Sequence, residues 1–338
     1  MVNTGASRAK RGRGRILSVL ESLVVLSLLV SLTPRTAAQV APVSAAEHRL
    51  QVAVNVVNVH VTARDRAGAL LHDLQRRDFE VFEDGKKQDL RYFSRYNDVS
   101  VSVVLLIDAS TSQTRVLARE QAIAAHFLEQ VLRPGDRAAI VSFDSNAYVV
   151  QDFTSDPFRL RHAIDRIAPF APGLQPVLPP AEVASGTRLC AAVNWVAGLP
   201  AAQWLDRRVV ILISDGVDPE IRACVKPAVT AALRNDLMIY SIRTLDGGVY
   251  GHPGVAEQGE QALSRLARET GGLLLWGNDP RKLSAAFTHI AAELRGQYSL
   301  GYTPQKLVRD GRFHRIKIVV NRKATQVRAR RGYVPSTL

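Results

Sequence analysis

Residues 100–294 alternate between short apolar runs and amphipathic stretches, and this alternation restricts the fold more than any other feature of the chain. Five runs are predominantly apolar over four to seven residues, namely 101–107, 138–143, 209–213, 237–242 and 273–276. Runs of this kind are typical of strands that are covered on both faces. Helical spacing between them predicts helices near 113–132, 158–167, 191–197, 226–234, 260–270 and 280–294. We therefore predict an α/β domain over 99–294, with a doubly wound, mostly parallel six-stranded sheet and helices on both faces. Residues 147–153 are predicted to form its edge strand.

The two segments that flank this domain have sequence patterns that are typical of β-strands and turns. Alternating valines at 52–56 and 57–61 predict a long strand with a bulge, and Asp84-Gly85 predicts a tight turn with a returning strand at 90–93. Further strands are predicted at 298–302, 315–320 and 326–330. Each β-rich segment, 49–98 and 295–338, is too small to be stable alone. We expect the two to pair into one discontinuous β-rich module.

The N-terminus has the order of a secretory signal. A basic stretch is followed by the apolar run 22–32 and by small residues that end at Ala38. Residues 1–38 therefore predict a cleaved signal, and the alternative is an uncleaved N-terminal anchor over 16–32. Residues 39–48 are predicted to be a flexible lead, that is, a flexible segment between the signal and the first β-rich segment. The sequence predicts export to the periplasm, the cell envelope or the extracellular space, with no integral membrane domain beyond a possible N-terminal anchor.

The net charge of +13 is concentrated at the two ends of the chain. The first 38 residues carry +5 and residues 295–331 carry +10, which leaves −2 for the rest. The central domain therefore lacks the basic surface of a nucleic-acid-binding protein, and no nucleic-acid partner is predicted. We interpret the basic tail as solvated strand edges that discourage aggregation. The alternative is a structural cell-envelope component with an idle metal site, whose tail binds acidic lipid or polysaccharide.

Polar side chains that suit a metal ion follow the apolar runs. Asp108 ends the first run, Ser110 and Ser112 open the next helix, Thr187 precedes another helix, and Asp215 ends a later run. Ligands of an open parallel sheet bind outside the carboxyl ends of its strands. Carboxylates and hydroxyls are suitable oxygen donors for a hard divalent cation. The sequence therefore predicts a metal site at these five residues; the alternative is that the two serines cap the helix and Asp108 accepts backbone amides.

Two carboxylates and three hydroxyls do not complete the shell of a six-coordinate ion. At least one position is left for water or for an acidic side chain of a partner protein. Asp144 and Asp218 lie on loops near the predicted site, and we interpret them as solvated loop acids.

Three segments carry a resemblance to a known family. Residues 105–112, 185–189 and 211–216 resemble the three parts of the metal-ion-dependent adhesion site of von Willebrand factor type A domains. Residues 78–85 and 297–302 extend the resemblance to the related proteins found in Acidobacteria. The resemblance implies a Rossmann-like sheet in which the strands ending in Asp108 and Asp215 are neighbours.

The same resemblance implies a function. Members typically bind other proteins and have no catalytic residues. Ser110, Ser112 and Thr187 would ligate Mg²⁺ or Mn²⁺ directly, and the two aspartates would act mostly through water. Relatives often have an acid a few positions after the threonine, where this chain has alanines at 191 and 192, so metal affinity is expected to be reduced.

An enzymatic reading has less support. Asp108 near Mg²⁺ has the position of a phosphate-accepting nucleophile, but the second acid that this chemistry usually needs two residues later is replaced by Ser110. The histidines are scattered without metal-ligand spacing. We therefore predict a binding protein and no enzyme. The two cysteines, Cys190 and Cys224, are either buried thiols or, in an exported protein, a disulfide.

Overall fold

A computed structural model describes residues 56–95, 99–169, 171, 173–179, 186–245, 253–305 and 310–335. The predicted signal or anchor, the flexible lead and the valines at 52 and 54 lie outside these described residues. Within the described ranges, no helix combines the length and the apolar character that crossing a membrane requires.

Three sheets account for the strands. Before the central domain lie β1 (Val57–Arg64), β2 (Phe79–Glu83), β3 (Lys86–Gln88) and β4 (Leu90–Arg95). The central domain contains β5 (Val101–Asp108), β6 (Arg137–Phe143), β7 (Ala147–Thr154), β8 (Arg207–Ser214), β9 (Leu237–Arg243) and β10 (Leu274–Trp276). After it come β11 (Tyr298–Tyr302), β12 (His314–Val320), β13 (Gln326–Arg328) and β14 (Gly332–Tyr333).

The central sheet has the predicted doubly wound topology. Its order is β10-β9-β8-β5-β6-β7, and every neighbouring pair is parallel except β6 with β7. The chain moves outward from β5 through β6 and β7, then returns to the other side of β5 to form β8. The strand order therefore reverses between β5 and β8, and the crevice beside this reversal is where such sheets bind ligands.

Helices cover both faces of this sheet, as predicted. They are α1 (Thr114–Val131), α2 (Pro157–Asp165), α3 (Leu189–Ala197), α4 (Ile221–Arg234), α5 (Pro253–Thr270) and α6 (Pro280–Gly296). Apolar side chains of α1, α2 and α6 pack on one face, and those of α3, α4 and α5 pack on the other. The helices α4 and α5 begin earlier than predicted, and α4 contains Pro227 in its interior.

The flanking strands pair with each other, as expected. One sheet has the order β13-β1-β11-β4 and the other has the order β14-β12-β2-β3, so each sheet combines strands from both ends of the domain. Inward-facing residues of both sheets share one core, in which the rings of Phe79 and Tyr298 lie 5.1 Å apart. The two segments therefore form a single discontinuous β-rich module, because neither sheet is complete without both.

One strand of this module differs from the prediction. The residues that return from the turn and pair with β2 are those of β3, whereas β4, which begins at Leu90, pairs with β11 in the other sheet. Asp84 and Gly85 both have positive φ, 48° and 81°, which gives the turn the twist of a two-residue hairpin. Pairing therefore starts directly after the turn, at Lys86 opposite Glu83. The apolar Leu90 reaches the shared core from the second sheet.

A buried ionic network joins the module to the central domain. Glu293 of α6 is fully buried and accepts hydrogen bonds from Arg64 of β1 at 2.8 Å and from Arg328 of β13. His289 lies 3.1 Å from the same carboxylate, and the hydroxyl of Tyr240 donates to it at 3.1 Å. These partners hold the pKa of Glu293 at about 2, against the effect of burial, which raises it. The network fixes the last helix of the central domain to two strands of the module.

Part of the basic tail is paired with acids of the central domain, whereas Arg312, Arg315, Lys317, Arg322 and Lys323 are exposed, as expected of solvated strand edges. Besides Arg328, three of its arginines form ion pairs at 2.6–3.1 Å: Arg295 with Asp136, Arg330 with Asp236 and Arg331 with Glu269. Arg328, Arg330 and Arg331 therefore attach the module to the domain inserted in it, whereas the ion pair of Arg295 lies within that domain.

Candidate metal site

Two carboxylates meet where β5 and β8 end. The strands pair in parallel with Ile107 opposite Ile213, so Asp108 and Asp215 both lie at the carboxyl edge of the sheet, with Asp215 one residue further along its strand. Both are fully buried. Asp108 accepts hydrogen bonds from the amide of Ser110 at 3.0 Å and from the hydroxyl of Ser214 at 2.6 Å. The strands that end near Asp108 and Asp215 are therefore neighbours, as predicted.

The two serines of the loop after β5 lie beside these carboxylates. The hydroxyl oxygens of Ser110 and Ser112 are 3.0 Å apart, and Ser112 donates to Asp215 at 2.8 Å. The loop continues as a 3-10 helix at Thr111–Gln113 and then as α1, and neither helix start has a side-chain cap. The part of the alternative in which the serines cap the helix is therefore wrong, whereas its other part, that Asp108 accepts a backbone amide, is observed at Ser110.

Thr187 lies on the wall of a cleft that also contains both serines. The cleft has a volume of about 420 Å³. It is lined by Ala109, Ser110, Thr111, Ser112, Asp144, Ser145, Pro169, Gly186, Thr187, Val217 and Pro219. Gly186 has a φ of +93°, and a Cβ there would lie 2.7 Å from the ring of Pro219. A glycine before the threonine therefore allows the two loops to approach closely.

The turn after Asp215 also depends on a glycine. Gly216 has a φ of +83°, and a Cβ on it would lie 2.4 Å from the carbonyl oxygen of Gly259 in α5. The amide of Val217 donates to Asp215 at 2.8 Å. The turn therefore brings backbone against backbone while it fixes the orientation of the carboxylate.

The electrostatics of the site favour a bound cation. Burial, and the nearby charge of Asp215, raise the pKa of Asp108 to about 7. Two buried carboxylates at close range repel each other, and a divalent ion among them removes this repulsion. The adjacent hydroxyls add neutral oxygen donors, so the set of donor atoms fits a hard divalent cation.

Side chains that the sequence reasoning missed lie behind the carboxylates. Gln113 is fully buried and donates to Asp215 at 2.7 Å, while its own carbonyl oxygen accepts from Thr244 at 3.1 Å. Glu120 of α1 is also fully buried, and burial, with a smaller effect from the charge of Asp108, raises its pKa to about 8. The sequence could have predicted the burial of Glu120, because this acid lies on the side of α1 that faces the sheet.

Asp144 and Asp218 are buried, which corrects their interpretation as solvated loop acids. They are 5% and 8% exposed, respectively. Asp144 lines the cleft and accepts the amide of Asn146 at 2.8 Å. Asp218 accepts the amide of Cys190, at the start of α3, at 3.1 Å. Both acids therefore order loops around the site.

The two cysteines form a disulfide. The sulfur atoms of Cys190 and Cys224 are 2.08 Å apart, and the bond joins α3 to α4. Because α3 follows the loop of Thr187 and α4 follows the loop of Asp215, the bond ties together two of the loops that carry predicted ligands.

Comparisons with known proteins bear on the central domain. Residues 103–217 match the family model of the von Willebrand factor type A domain. None of the curated proteins matches the chain. Among solved structures, the chain is similar to the conserved hypothetical protein BatB from Bacteroides thetaiotaomicron, with 17% identity, a TM-score of 0.44, and coverage of 57% of this chain and 97% of that one.

Two further solved structures come from surface and matrix proteins. The von Willebrand factor domain of the type V pili tip protein Mfa5 from Porphyromonas gingivalis has 16% identity, a TM-score of 0.43, and coverage of 57% of this chain and 94% of that one. Proximal thread matrix protein 1 of the mussel byssus, with a zinc-occupied MIDAS motif, has 15% identity, a TM-score of 0.46, and coverage of 64% of this chain and 50% of that one. Residues 103–217, which match the family model of the von Willebrand factor type A domain, hold all five predicted ligands.

Proposed function

We propose that this protein is an exported module that binds another protein through a divalent metal ion. The observation that carries the proposal is the gathering of two buried carboxylates and two hydroxyls at the strand reversal, beside a cleft that Thr187 also lines. In this proposal Ser110, Ser112 and Thr187 hold Mg²⁺ or Mn²⁺ directly. Asp108 and Asp215 balance its charge, mostly through water.

The partner is proposed to contribute an acidic side chain. The residues of this chain supply too few negative groups to complete the ion's coordination, so a carboxylate that enters the cleft takes a position otherwise held by water. The walls of the cleft include Pro169, Val217 and Pro219, which offer apolar contact beside the polar floor. Apolar walls exclude water and strengthen the attraction between the ion and the incoming carboxylate.

The surroundings of Asp108 favour binding over catalysis. A phosphate-accepting aspartate needs an accessible oxygen, whereas Asp108 is fully buried and both its oxygens accept hydrogen bonds, from Ser110 and from Ser214. Four basic residues of the tail are paired with acids of the central domain, which leaves less of its charge for a scaffold that binds acidic surfaces.

Export is part of the proposal. The order of basic, apolar and small residues in 1–38 supports a signal or an anchor. The disulfide between Cys190 and Cys224 supports an oxidising compartment, because such bonds are rare in the cytosol. We propose the periplasm, the cell envelope or the extracellular space.

Calorimetry tests the metal site. The chelator-treated chain is titrated with MgCl₂ and with MnCl₂, and compared with Thr187→Val and Asp215→Ala. Binding to the wild type and a loss of at least tenfold in both variants are expected. Ser145→Ala, which alters a hydroxyl of the same cleft outside the predicted ligands, serves as the matched control. If neither Mg²⁺ nor Mn²⁺ bound to the wild type, the proposal would be refuted.

The partner is sought by a pull-down from envelope extract, with and without chelator. A protein retained by the wild type in Mg²⁺, but lost with chelator and by Thr187→Val, is the expected result. Retention that does not depend on the metal would refute the metal-dependent mode of binding.

A further inference from the structure

A second polar cluster lies in the β-rich module, at the tight turn between β2 and β3. Glu83 and Asp84 lie at this turn, His314 begins β12, and Asp310 precedes it in the chain. The Nδ1 atom of His314 is 2.8 Å from Oδ2 of Asp84 and 3.9 Å from Oε1 of Glu83. Its Nε2 atom is 3.4 Å from Oδ1 of Asp310. We call these four residues the turn cluster.

The carboxylate of Glu83 is buried at the open end of the module's core. Phe79, Val81 and Glu83 form the inward-facing row of β2, and Glu83 is 8% exposed. It accepts a hydrogen bond from the hydroxyl of Tyr302 at 2.6 Å, and the hydroxyl of Tyr333 lies 3.4 Å away. Tyr302 comes from the other sheet of the module. The carboxylate occupies a position where the strand pattern calls for an apolar side chain, and groups from both sheets fix its orientation.

The imidazole of His314 is also held in place. Its ring stacks on Tyr333 with centroids 5.4 Å apart, and its side chain is 13% exposed. With a proton on Nε2, the ring donates to Asp310 and presents the Nδ1 lone pair to Glu83 and Asp84. Metal-binding histidines usually donate their second ring nitrogen to a carboxylate or a carbonyl in this way.

We propose that Nδ1 of His314 and the carboxylates of Glu83 and Asp84 bind a divalent transition-metal ion of the zinc class, with Asp310 as a positioning residue. The geometry carries this assignment. Bonds of 2.0–2.1 Å to a tetrahedral zinc ion place its ligand atoms about 3.3 Å apart. The observed separations from Nδ1, 2.8 and 3.9 Å, lie on either side of that value, and the three ligand atoms lie within 4.8 Å of one another.

The choice of metal follows from the donor atoms. An imidazole nitrogen favours zinc and its neighbours over magnesium, whereas the oxygen donors of the central domain favour magnesium or manganese. Oδ1 of Asp84 is engaged by the amide of Arg315 at 2.9 Å, which directs Oδ2 towards Nδ1. The side chain of Asp84 is 50% exposed, so the fourth position of the ion faces solvent and suits a water molecule.

An ion at this place would link parts of the module that are distant in the chain. It joins the turn after β2 to the start of β12, and through Tyr302 it acts on β11 in the opposite sheet. This site is separate from the cleft of the central domain, so it does not depend on the proposed function of that domain.

The test is a calorimetric titration of the full chain with ZnCl₂, after removal of metals by chelator. The titration is performed in excess MgCl₂, so that Mg²⁺ competes for the site of the central domain. We expect the wild type to bind one more equivalent of zinc than His314→Gln. His162→Gln, which alters an exposed histidine of α2, serves as the matched control and should bind as the wild type does. Asp310→Asn should weaken the additional zinc site about 10- to 100-fold, as expected of a group that orients a ligand.

Equal zinc equivalents for the wild type and His314→Gln would overturn the assignment, and the cluster would then be a protonated histidine held by three carboxylates. Circular dichroism in chelator establishes whether His314→Gln folds. If that variant does not fold, Asp84→Asn replaces it, because its half-exposed position tolerates substitution. A loss of at least tenfold in zinc affinity supports the site, and unchanged affinity overturns it.

Discussion

Replacing Asp108 by asparagine should stabilise the metal-free protein. The pKa of Asp108 is raised from 3.8 to about 7 by burial and by the charge of Asp215. Three pKa units correspond to about 4 kcal/mol of unfavourable free energy for the ionised form in the folded state. Between about pH 4 and pH 7 the folded protein keeps a proton that the unfolded chain has lost, so its stability falls as the pH rises. Asp108→Asn removes this charge and keeps an oxygen for the amide of Ser110.

The assay is urea unfolding in chelator, followed by circular dichroism, at pH 5 and pH 8. At pH 8 the variant should have the higher free energy of unfolding, by about 1–4 kcal/mol, since part of the gain is lost with the hydrogen bond from Ser214. At pH 5 the difference should shrink. Mg²⁺ at 100 times its dissociation constant should then add about 2.7 kcal/mol to the wild type and less to the variant. Equal stabilities in chelator at both pH values, together with equal gains from Mg²⁺, would refute the reasoning.

Two further predictions concern groups outside the cleft. Glu293→Gln should lower the free energy of unfolding at pH 7 by about 3–5 kcal/mol, because it leaves Arg64 and Arg328 without a buried counter-charge. The wild type should also lose about 3 kcal/mol as the pH falls from 4.5 to 2, because the pKa of Glu293 is lowered to about 2, and the variant should lack this loss; matching acid-unfolding curves would contradict the role of the network. Reduction of the disulfide between Cys190 and Cys224, which are 34 residues apart, should cost about 3–4 kcal/mol in denaturant unfolding. An unchanged midpoint in reductant would show that the bond does not contribute.

The central sheet was predictable because its signals are local. Four of the five apolar runs are followed directly by a polar residue, and Asp108 and Asp215 mark the same edge of two strands. The rule that ligands bind at the carboxyl ends of parallel strands then brings the two aspartates together without knowledge of any distance. The flanking strands were harder, since the returning strand after Asp84-Gly85 consists of the polar Lys86–Gln88, which carries no apolar pattern.

The surroundings of the metal site were not predictable from the same signals. Gln113 ends the 3-10 helix and Glu120 lies in α1, and their positions behind the aspartates depend on how these two helices pack on the sheet. Asp144 and Asp218 were read as solvated because loop acids usually are, and their burial follows from the loops folding over each other. The turn cluster of the β-rich module was not predicted from the sequence for a related reason. Glu83 and His314 are brought together by the pairing of β2 with β12, where Glu83 lies opposite Ile316.

No acidic residue follows Thr187 within a few positions, but an acid from another loop lies at the start of α3. Relatives often have that acid a few positions after the threonine, whereas here Asp218, from the loop after Asp215, accepts the amide of Cys190 at the start of α3. A carboxylate therefore lies at the start of α3 but comes from a different segment of the chain. The disulfide joins the same two regions covalently. Because neither link uses the metal as a partner, both hold the loops of Thr187 and Asp215 together independently of the ion. The free-energy cost of ordering these loops when the metal binds is therefore smaller. This smaller cost offsets part of the affinity that is expected to be lost with the missing acid.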